Sequence, residues 1–336
     1  MSKFAASVFI FCFATRLYIA IFGFIAVFYW MRCIGVSSFH PLSPFISFLI
    51  GGTVYFENIF TDTQEDSANR RNAFRFLPNP DLLRFLRKGH FLFYFVALLF
   101  SLFIGRSCFF WTATAIIVSL SYANRWLPNF KGRGVRPKDI FILKNIIPGI
   151  AWVIVIAVIP FVSSGVQIIP PYIFLFVLIF LLEVREEIKF DIPDVDGDLE
   201  VGIRTFPGVW GEHATKRLLY FINGILGLSF FVMLLALYES RQPMLDVFLK
   251  NGFPFLITIA RDPIHIDFLF KTKKKDYLNA GILWGVMLLV IFLLLPFPYN
   301  IFVYLILCYE GCFLKFCHLL VAINSKIGVP VLDLSY

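Results

Sequence analysis

The chain has 336 residues, of which 59% are hydrophobic and only 15% are charged, and its mean hydropathy is +0.80. A soluble domain needs more polar residues than this to cover its surface, so the composition excludes a soluble globular fold. The net charge of +8 fits either the basic cytoplasmic loops of a membrane protein or a site for an anion such as phosphate. A nucleic-acid partner is not indicated, because the sequence contains no soluble basic module.

Long apolar runs recur along the whole chain, and a helix needs roughly 20 predominantly apolar residues to cross a membrane. By this measure, transmembrane helices are predicted near 9–31, 39–60, 90–106, 108–124, 143–163, 169–188, 215–238, 244–260 and 277–297. A tenth apolar run, 301–322, follows the stretch PFPYN. The predicted fold is therefore all-α, a polytopic membrane bundle of about nine transmembrane helices around a central cavity. We expect one transmembrane domain over 1–297 and an extra C-terminal apolar helix with its tail over 298–336.

Basic loops alternate with loops that are nearly bare of Lys and Arg. The predicted loops 61–89, 125–142 and 261–276 are basic, and 189–214 contains Lys189 and Arg204. The predicted loop 164–168 has no basic residue. Cytoplasmic loops of membrane proteins are enriched in Lys and Arg. The alternation therefore predicts that the N-terminus and the basic loops lie in the cytoplasm.

The first acidic cluster lies where the second apolar run ends, in the stretch YFENIFTDTQED. Asn58, Asp62 and Asp66 follow one another at four-residue steps. At 3.6 residues per turn, such steps keep three side chains on one face of a helix.

The second acidic cluster, DIPDVDGD, follows the sixth apolar run. Asp191, Asp194 and Asp198 are spaced i, i+3 and i+7, so they share a face if the preceding helix continues through them. Pro193 and Gly197 oppose that continuation.

Both clusters are predicted on the same side of the membrane. Carboxylates that converge repel one another unless a cation lies among them. Mg²⁺ binds carboxylate oxygens and keeps positions for the oxygens of a substrate phosphate. The two clusters together thus predict a diphosphate–Mg²⁺ site, whereas either cluster alone is equally well explained as a solvated acidic surface.

The two patterns, N-x-x-x-D-x-x-x-D and D-x-x-D-x-x-x-D, resemble those of the UbiA superfamily of intramembrane prenyltransferases. The stretch GDLEVGIRTFPGVWG after the second pattern is also similar to that family, in the order Gly197, Asp198, Gly202, Arg204, Thr205, Pro207 and Gly211. A third, looser similarity joins Tyr122 to LKNIIPGIAW, with Lys144, Asn145 and Gly149. The resemblance covers about residues 10–297.

This resemblance implies a Mg²⁺-dependent enzyme that uses two metal ions. It would transfer a polyprenyl group from an isoprenyl diphosphate, through an allylic carbocation, to an aromatic or lipid-like acceptor. Two alternatives remain open at this point. A membrane terpene cyclase would use the same metal site, and a transporter or scaffold would have no catalytic activity.

The resemblance also assigns roles to individual residues. The metal ligands are expected to be Asn58, Asp62, Asp66, Asp191, Asp194 and Asp198. The diphosphate is expected to contact Lys144, Arg204, Arg70 and Arg71, with Asn145 orienting Lys144 or capping the fifth span. Asp191 or Asp194 is also expected to act on a proton of the acceptor. The ring of Tyr122 either faces the carbocation or belongs to an interfacial aromatic belt.

Overall fold

The structure is a computed structural model. The residues that it describes are 17–33, 35–36, 38–61, 80–127, 135–167 and 170–239, together with 259, 262–263, 266–267 and 269–270.

The described part of the chain is helical. The helices, in chain order, are α1 Leu17–Cys33, α2 Ser43–Thr61, α3 Pro80–Ile104, α4 Arg106–Ala123, α5 Leu143–Ser163, α6 Pro170–Asp191, α7 Val195–Glu200 and α8 Phe206–Glu239. The only extended pairing within these ranges is an isolated antiparallel bridge between Leu127 and Val135. The predicted all-α architecture is therefore confirmed.

Each of the first seven predicted spans corresponds to one long helix. The predictions at 277–297 and 301–322 lie outside the described residues, and so does 244–260 except for residue 259. Within the described ranges, α5 alone is both long and apolar enough to cross a membrane by itself, with a mean hydropathy of 2.5, and α1 and the segment Lys88–Ile104 are shorter apolar helices. The total number of transmembrane helices stays a prediction.

The break between α3 and α4 is a single residue, Gly105. Its φ of 149° lies in a region that side chains rarely adopt, so glycine allows the chain to turn between two long apolar helices without a loop. This matches the short GRS separation in the sequence.

The most apolar helix, α5, is irregular in its middle. Pro148 lies inside the helix, Pro160 lies near its end, and residues Ile154–Val158 form a turn of π-helix between them. A proline cannot donate the backbone hydrogen bond that a regular helix requires, so the chain adjusts its winding locally.

Glycines allow the neighbouring helices to approach α5 closely. The ring of Trp152 lies against Gly23 of α1 and Gly51 of α2, and a Cβ on Gly23 would lie 2.8 Å from that ring. On the other side, a Cβ on Gly149 would lie 2.9 Å from Cγ2 of Val184 in α6. Small residues at such contacts let helix backbones pack together in a membrane.

Gly149→Ala tests this close contact between α5 and α6. The added methyl group overfills the interface, which costs about 1–3 kcal/mol. We expect a lower thermal unfolding temperature in detergent, and partial recovery when Val184→Ala is combined with it. Gly89→Ala is the matched control, because nothing lies within 4 Å of a Cβ there. An unfolding temperature for Gly149→Ala equal to that of the control would contradict the packing.

Candidate active site

The centre of the site is the side chain of Lys144, at the first turn of α5. Its Nζ lies 2.8 Å from Oδ1 of Asp191 and 2.9 Å from Oδ2 of Asp198. Both aspartates are buried, and the lysine side chain is only 17% exposed. The ammonium group therefore joins the start of α5 to two residues of the second acidic cluster.

Two further side chains fix this arrangement. Asn145 Nδ2 donates a hydrogen bond of 3.0 Å to Oδ2 of Asp191, so both oxygens of that carboxylate accept bonds from α5. Tyr122, at the end of α4, donates its hydroxyl to the backbone carbonyl of Lys144 at 3.2 Å. Asn145 therefore contacts Asp191. Its expected role in orienting Lys144 stays a prediction, and the residue at the N-cap of α5 is Ile142.

The second acidic cluster does not lie on one continuous helix. α6 ends at Asp191, a turn follows, and α7 begins after Asp194. The condition for a shared helical face is therefore not met, because Pro193 lies in the turn. At the start of α7, Asp198 N donates to the Asp194 carbonyl at 2.9 Å, and the Asp198 side chain contacts the same lysine as Asp191.

Of the first acidic cluster, only Asn58 lies within the residues that the structure describes. Asn58 lies in the last turns of α2, whereas Asp62, Asp66, Arg70 and Arg71 lie outside the described residues.

Two contacts connect the end of α2 to the rest of the site. Glu57 is buried and accepts a 2.8 Å hydrogen bond from Nδ2 of Asn124, two residues after Tyr122. Arg136 Nη1 donates to the carbonyl of Thr61 at 3.3 Å. Thr61 is the last residue of α2, immediately before Asp62, so the loop that leads into α5 also contacts the end of the helix that carries Asn58.

Arg136 is itself fixed by a local ion pair. Its Nη2 lies 2.6 Å from Oδ1 of Asp139, and its Nε donates to the same oxygen at 3.0 Å. Partial burial would raise the pKa of Asp139, but the guanidinium group outweighs it and holds that pKa below its usual value. The pair therefore stays charged at neutral pH and keeps the loop in place.

The residues present fit a divalent cation of the Mg²⁺ type. Within the described ranges no three His, Cys, Asp or Glu side chains form a metal-binding group by themselves. Two amide oxygens, Oδ1 of Asn58 and Oδ1 of Asn145, are buried and accept no hydrogen bond from the described residues. Such oxygens, beside carboxylates, are the hard donors that Mg²⁺ prefers.

Arg204 does not join this arrangement in the described structure. It is exposed, in the stretch between α7 and α8, and makes no ion pair with a described residue. Its expected contact with a diphosphate stays a prediction.

The sequence did not predict a buried ionic network on the last turns of α6, just before Asp191. Arg185 is 1% exposed and donates to Asn223 at 2.6 Å, and Lys189 Nζ lies 2.7 Å from Oδ1 of Asp262. Glu186 binds both cations, with closest distances of 2.6 and 2.9 Å. The signal was present in the sequence, because charged residues near the end of a predicted span need partners.

The sequence of this chain matches the model of a known protein family. The model of the UbiA prenyltransferase family matches residues 20–259. The chain belongs to the UbiA prenyltransferase family. The family and the enzyme class expected from the sequence, a prenyltransferase, are thereby confirmed, and as a family member the chain is an integral membrane protein. The cytoplasmic orientation of the site and the domain limits stay predictions.

Solved structures show the same fold. A UbiA homolog from Archaeoglobus fulgidus bound to GPP and Mg²⁺ is 12% identical, with 93% of this chain and 99% of that chain covered and a TM-score of 0.61. The same homolog bound to DMAPP and Mg²⁺ is 14% identical, with 78% and 87% covered and a TM-score of 0.57. A structure of digeranylgeranylglyceryl phosphate synthase is 16% identical, with 79% and 95% covered and a TM-score of 0.51. No curated protein sequence matches the chain.

Lys144→Met tests the central ion pairs. The substitution leaves Asp191 and Asp198 buried without their common cation, and removing one partner of a buried pair costs about 3–5 kcal/mol. We expect a lower unfolding temperature for the variant in the absence of added metal. Mg²⁺ should raise that temperature by more than it raises the wild-type value, because a divalent cation restores the missing positive charge.

The matched control for this experiment is Lys216→Met, which removes an ammonium group on α8 that pairs with Glu212 and Asp267. Its response to Mg²⁺ should equal that of the wild type. Identical Mg²⁺ shifts for Lys144→Met and the control would contradict the role given to Lys144.

Proposed function

We propose that this protein is a Mg²⁺-dependent intramembrane prenyltransferase. It transfers a polyprenyl group from an isoprenyl diphosphate to an aromatic or lipid-like acceptor. The observation that carries the proposal is the Lys144 ammonium group between Asp191 and Asp198 at the end of an apolar helix pair. Cationic and anionic groups meet there at short distances, as the binding of a metal diphosphate requires.

The solved homologs support the donor and the metal. The Archaeoglobus fulgidus homolog is bound to GPP or DMAPP together with Mg²⁺. We propose the same ligand class here, held by two metal ions. Asn58, Asp62 and Asp66 would hold one ion, and Asp194 and Asp198, with Asp191, would hold the other.

Different residues of this chain are proposed to bind the isoprenyl diphosphate and to assist its ionisation. We propose that Lys144, held by Asp191 and by Asn145 through that carboxylate, donates hydrogen bonds to diphosphate oxygens. Arg70, Arg71 and Arg204 are proposed to contact the same diphosphate. When bound, Mg²⁺ stabilises the negative charge that develops on the leaving diphosphate. The surrounding apolar helices exclude water and so protect the allylic carbocation from hydrolysis.

Tyr122 supports the site through its hydroxyl group. Because that hydroxyl donates to the carbonyl of Lys144, the ring is held beside the first turn of α5. We propose that the ring stabilises positive charge on the allylic carbon, as aromatic faces do for cations. The cyclase and transporter alternatives are not favoured by the family or by the related structures.

We further propose that the site opens on the cytoplasmic face. The basic loops 125–142 and 189–214 adjoin it, and such loops are enriched on the cytoplasmic side. The transmembrane domain would then cover 1–297, with 298–336 as an additional helix and tail.

Asp194→Asn tests the proposed function. With purified protein, geranylgeranyl diphosphate and Mg²⁺, the wild type should release diphosphate and the variant should do so at least about 100-fold more slowly, because a charge that stabilises the transition state is lost. Asp62→Asn should have a similar effect. Removing the metal with EDTA should abolish release by the wild type.

The matched control is Asp267→Asn, an exposed aspartate that pairs with Lys216 and Tyr220 away from the site. It should release diphosphate at the wild-type rate. Unchanged diphosphate release in both Asp194→Asn and Asp62→Asn would contradict the proposal. Comparing lipid extracts from cells with and without the protein would then show whether any prenylated product depends on it.

A further inference from the structure

Asp262 is a buried aspartate that the proposed site does not use. It follows α8 in the chain, and its side chain is 3% exposed. Its carboxylate contacts α6 twice, with Oδ1 lying 2.7 Å from Nζ of Lys189 and Oδ2 lying 3.5 Å from Nη1 of Arg185. Asn223 of α8 donates a hydrogen bond of 3.0 Å to the same Oδ2. One carboxylate therefore joins two turns of α6 to α8.

The two cations lie on the side of α6 that faces away from the candidate site. Arg185 and Lys189 are four residues apart, so their side chains share one face of the helix. Asp191 follows Lys189 by two residues, a step of about 200° around the helix, so it points to the opposite side. On that side Asp191 contacts Lys144 at 2.8 Å. Asp262 thus holds α6 from behind the carboxylate that Lys144 binds.

The packing of α6 against α5 lies on the same side as Asp191. Val184 precedes Asp191 by seven residues, which is nearly two full turns, and a Cβ on Gly149 of α5 would lie 2.9 Å from it. Contacts on both sides of α6 restrict rotation of the helix about its axis. This restriction matters to a reaction site, because a displacement of about 1 Å there can lower a rate roughly 100-fold.

Glu186 completes the charges of this network. It pairs with Arg185 at 2.6 Å and with Lys189 at 2.9 Å, so two cations and two carboxylates have formal charges that cancel. Buried ion pairs add little net stability compared with apolar side chains of the same volume, but they can select one arrangement of helices. The composition of the network therefore favours a role in orientation.

We infer that Asp262 is a positioning residue for the donor site. By holding Arg185 and Lys189, it sets the rotation of α6 at which Asp191 and the turn after it present their carboxylates. This inference rests on the proposed function, since those carboxylates belong to the proposed metal–diphosphate site. Asp262 acts through α6 and contacts neither the metal nor the diphosphate itself.

The test measures donor affinity with the purified full-length protein in detergent. The probe is geranylgeranyl thiodiphosphate, an unreactive donor analogue, and isothermal titration at a fixed Mg²⁺ concentration gives its Kd. Asp262→Asn should raise this Kd by about 10–100-fold, the usual cost of losing a group that orients a metal ligand. Asp262→Glu keeps the charge and should recover part of the affinity.

The matched control is Asp267→Asn, five positions further along the same part of the chain. Asp267 is exposed and pairs with Lys216 and Tyr220 of α8, and these contacts do not involve α6. The control should bind the analogue with the wild-type Kd.

A double-mutant cycle separates positioning from a general loss of structure. If Asp262 acts through the contact between Asp191 and Lys144, the effect of Asp262→Asn on Kd should be smaller when Lys144→Met is already present. The combined variant should therefore bind more tightly than the product of the two single effects predicts.

A further variant covers the case in which Asp262→Asn does not fold. Lys189→Met combined with Asp262→Leu removes both members of the closest ion pair, and Arg185 keeps Glu186 as a partner. Replacement of a buried pair by apolar residues is often neutral or stabilising, so the unfolding temperature should not fall below that of the wild type. The Kd of the analogue should still rise, because apolar contacts do not fix the rotation of α6 as an ion pair does.

Each contrary result identifies what is wrong. A Kd within roughly threefold of wild type in the Lys189→Met, Asp262→Leu variant, or in a folded Asp262→Asn variant, overturns the positioning role. Effects of Asp262→Asn and Lys144→Met that simply multiply also overturn it, since they indicate independent structural losses. A wild type that does not bind the analogue in a Mg²⁺-dependent manner overturns the proposed function itself.

Discussion

The ammonium group of Lys144 lies between two buried carboxylates at the end of an apolar helix bundle, and this contact joins two parts of the chain. The ammonium group contacts Asp191 and Asp198 at 2.8 and 2.9 Å. The cost of removing these charges from water is offset only because the geometry is close and Asn145 satisfies the remaining oxygen of Asp191. The start of α5 and the turn after α6 therefore cannot shift separately, and the candidate site depends on this constraint.

The close approach of α5 and α6 makes that constraint possible. Gly149 lies only five residues beyond Lys144, and the absence of a side chain there allows Val184 to contact the helix backbone. Trp152 fills the opposite side of α5 against Gly23 and Gly51 of the first two helices. The position of Lys144 is thus set by apolar packing on both sides of its helix. The hydrogen bond from Arg136 to the carbonyl of Thr61 connects the end of α2 to the same region.

The sequence predicted the helices of the first seven spans well, because long apolar runs in a membrane protein have few alternatives to a helix. It predicted helix ends poorly. α3 begins at Pro80, about ten residues before its predicted span, since a helix continues through polar residues beyond the apolar layer. α8 is kinked at Gly211, so its part after the kink begins close to the predicted span at 215–238.

The site was predictable to the extent that its residues follow local spacing. Lys144, Asn145 and Asp198 were identified from short patterns, and the structure brings them together with Asp191. The contacts between distant residues were not predictable. Nothing in the local sequence indicates that Asp262 pairs with Lys189, 73 positions earlier, because only the packing of the helices brings them together.

That distant pairing has a consequence for the site. Arg185, Lys189 and Asp262 are all nearly fully buried, and buried ion pairs contribute little net stability compared with apolar packing. Burial would raise the pKa of Asp262, but the two cations hold it well below its usual value, so the pairs remain charged. Because one partner of each pair would be left as an uncompensated buried charge if the helices moved apart, the pairs oppose such a movement. Because Lys189 lies two residues before Asp191, the network fixes the rotation of α6 at the point where its carboxylate must meet Lys144.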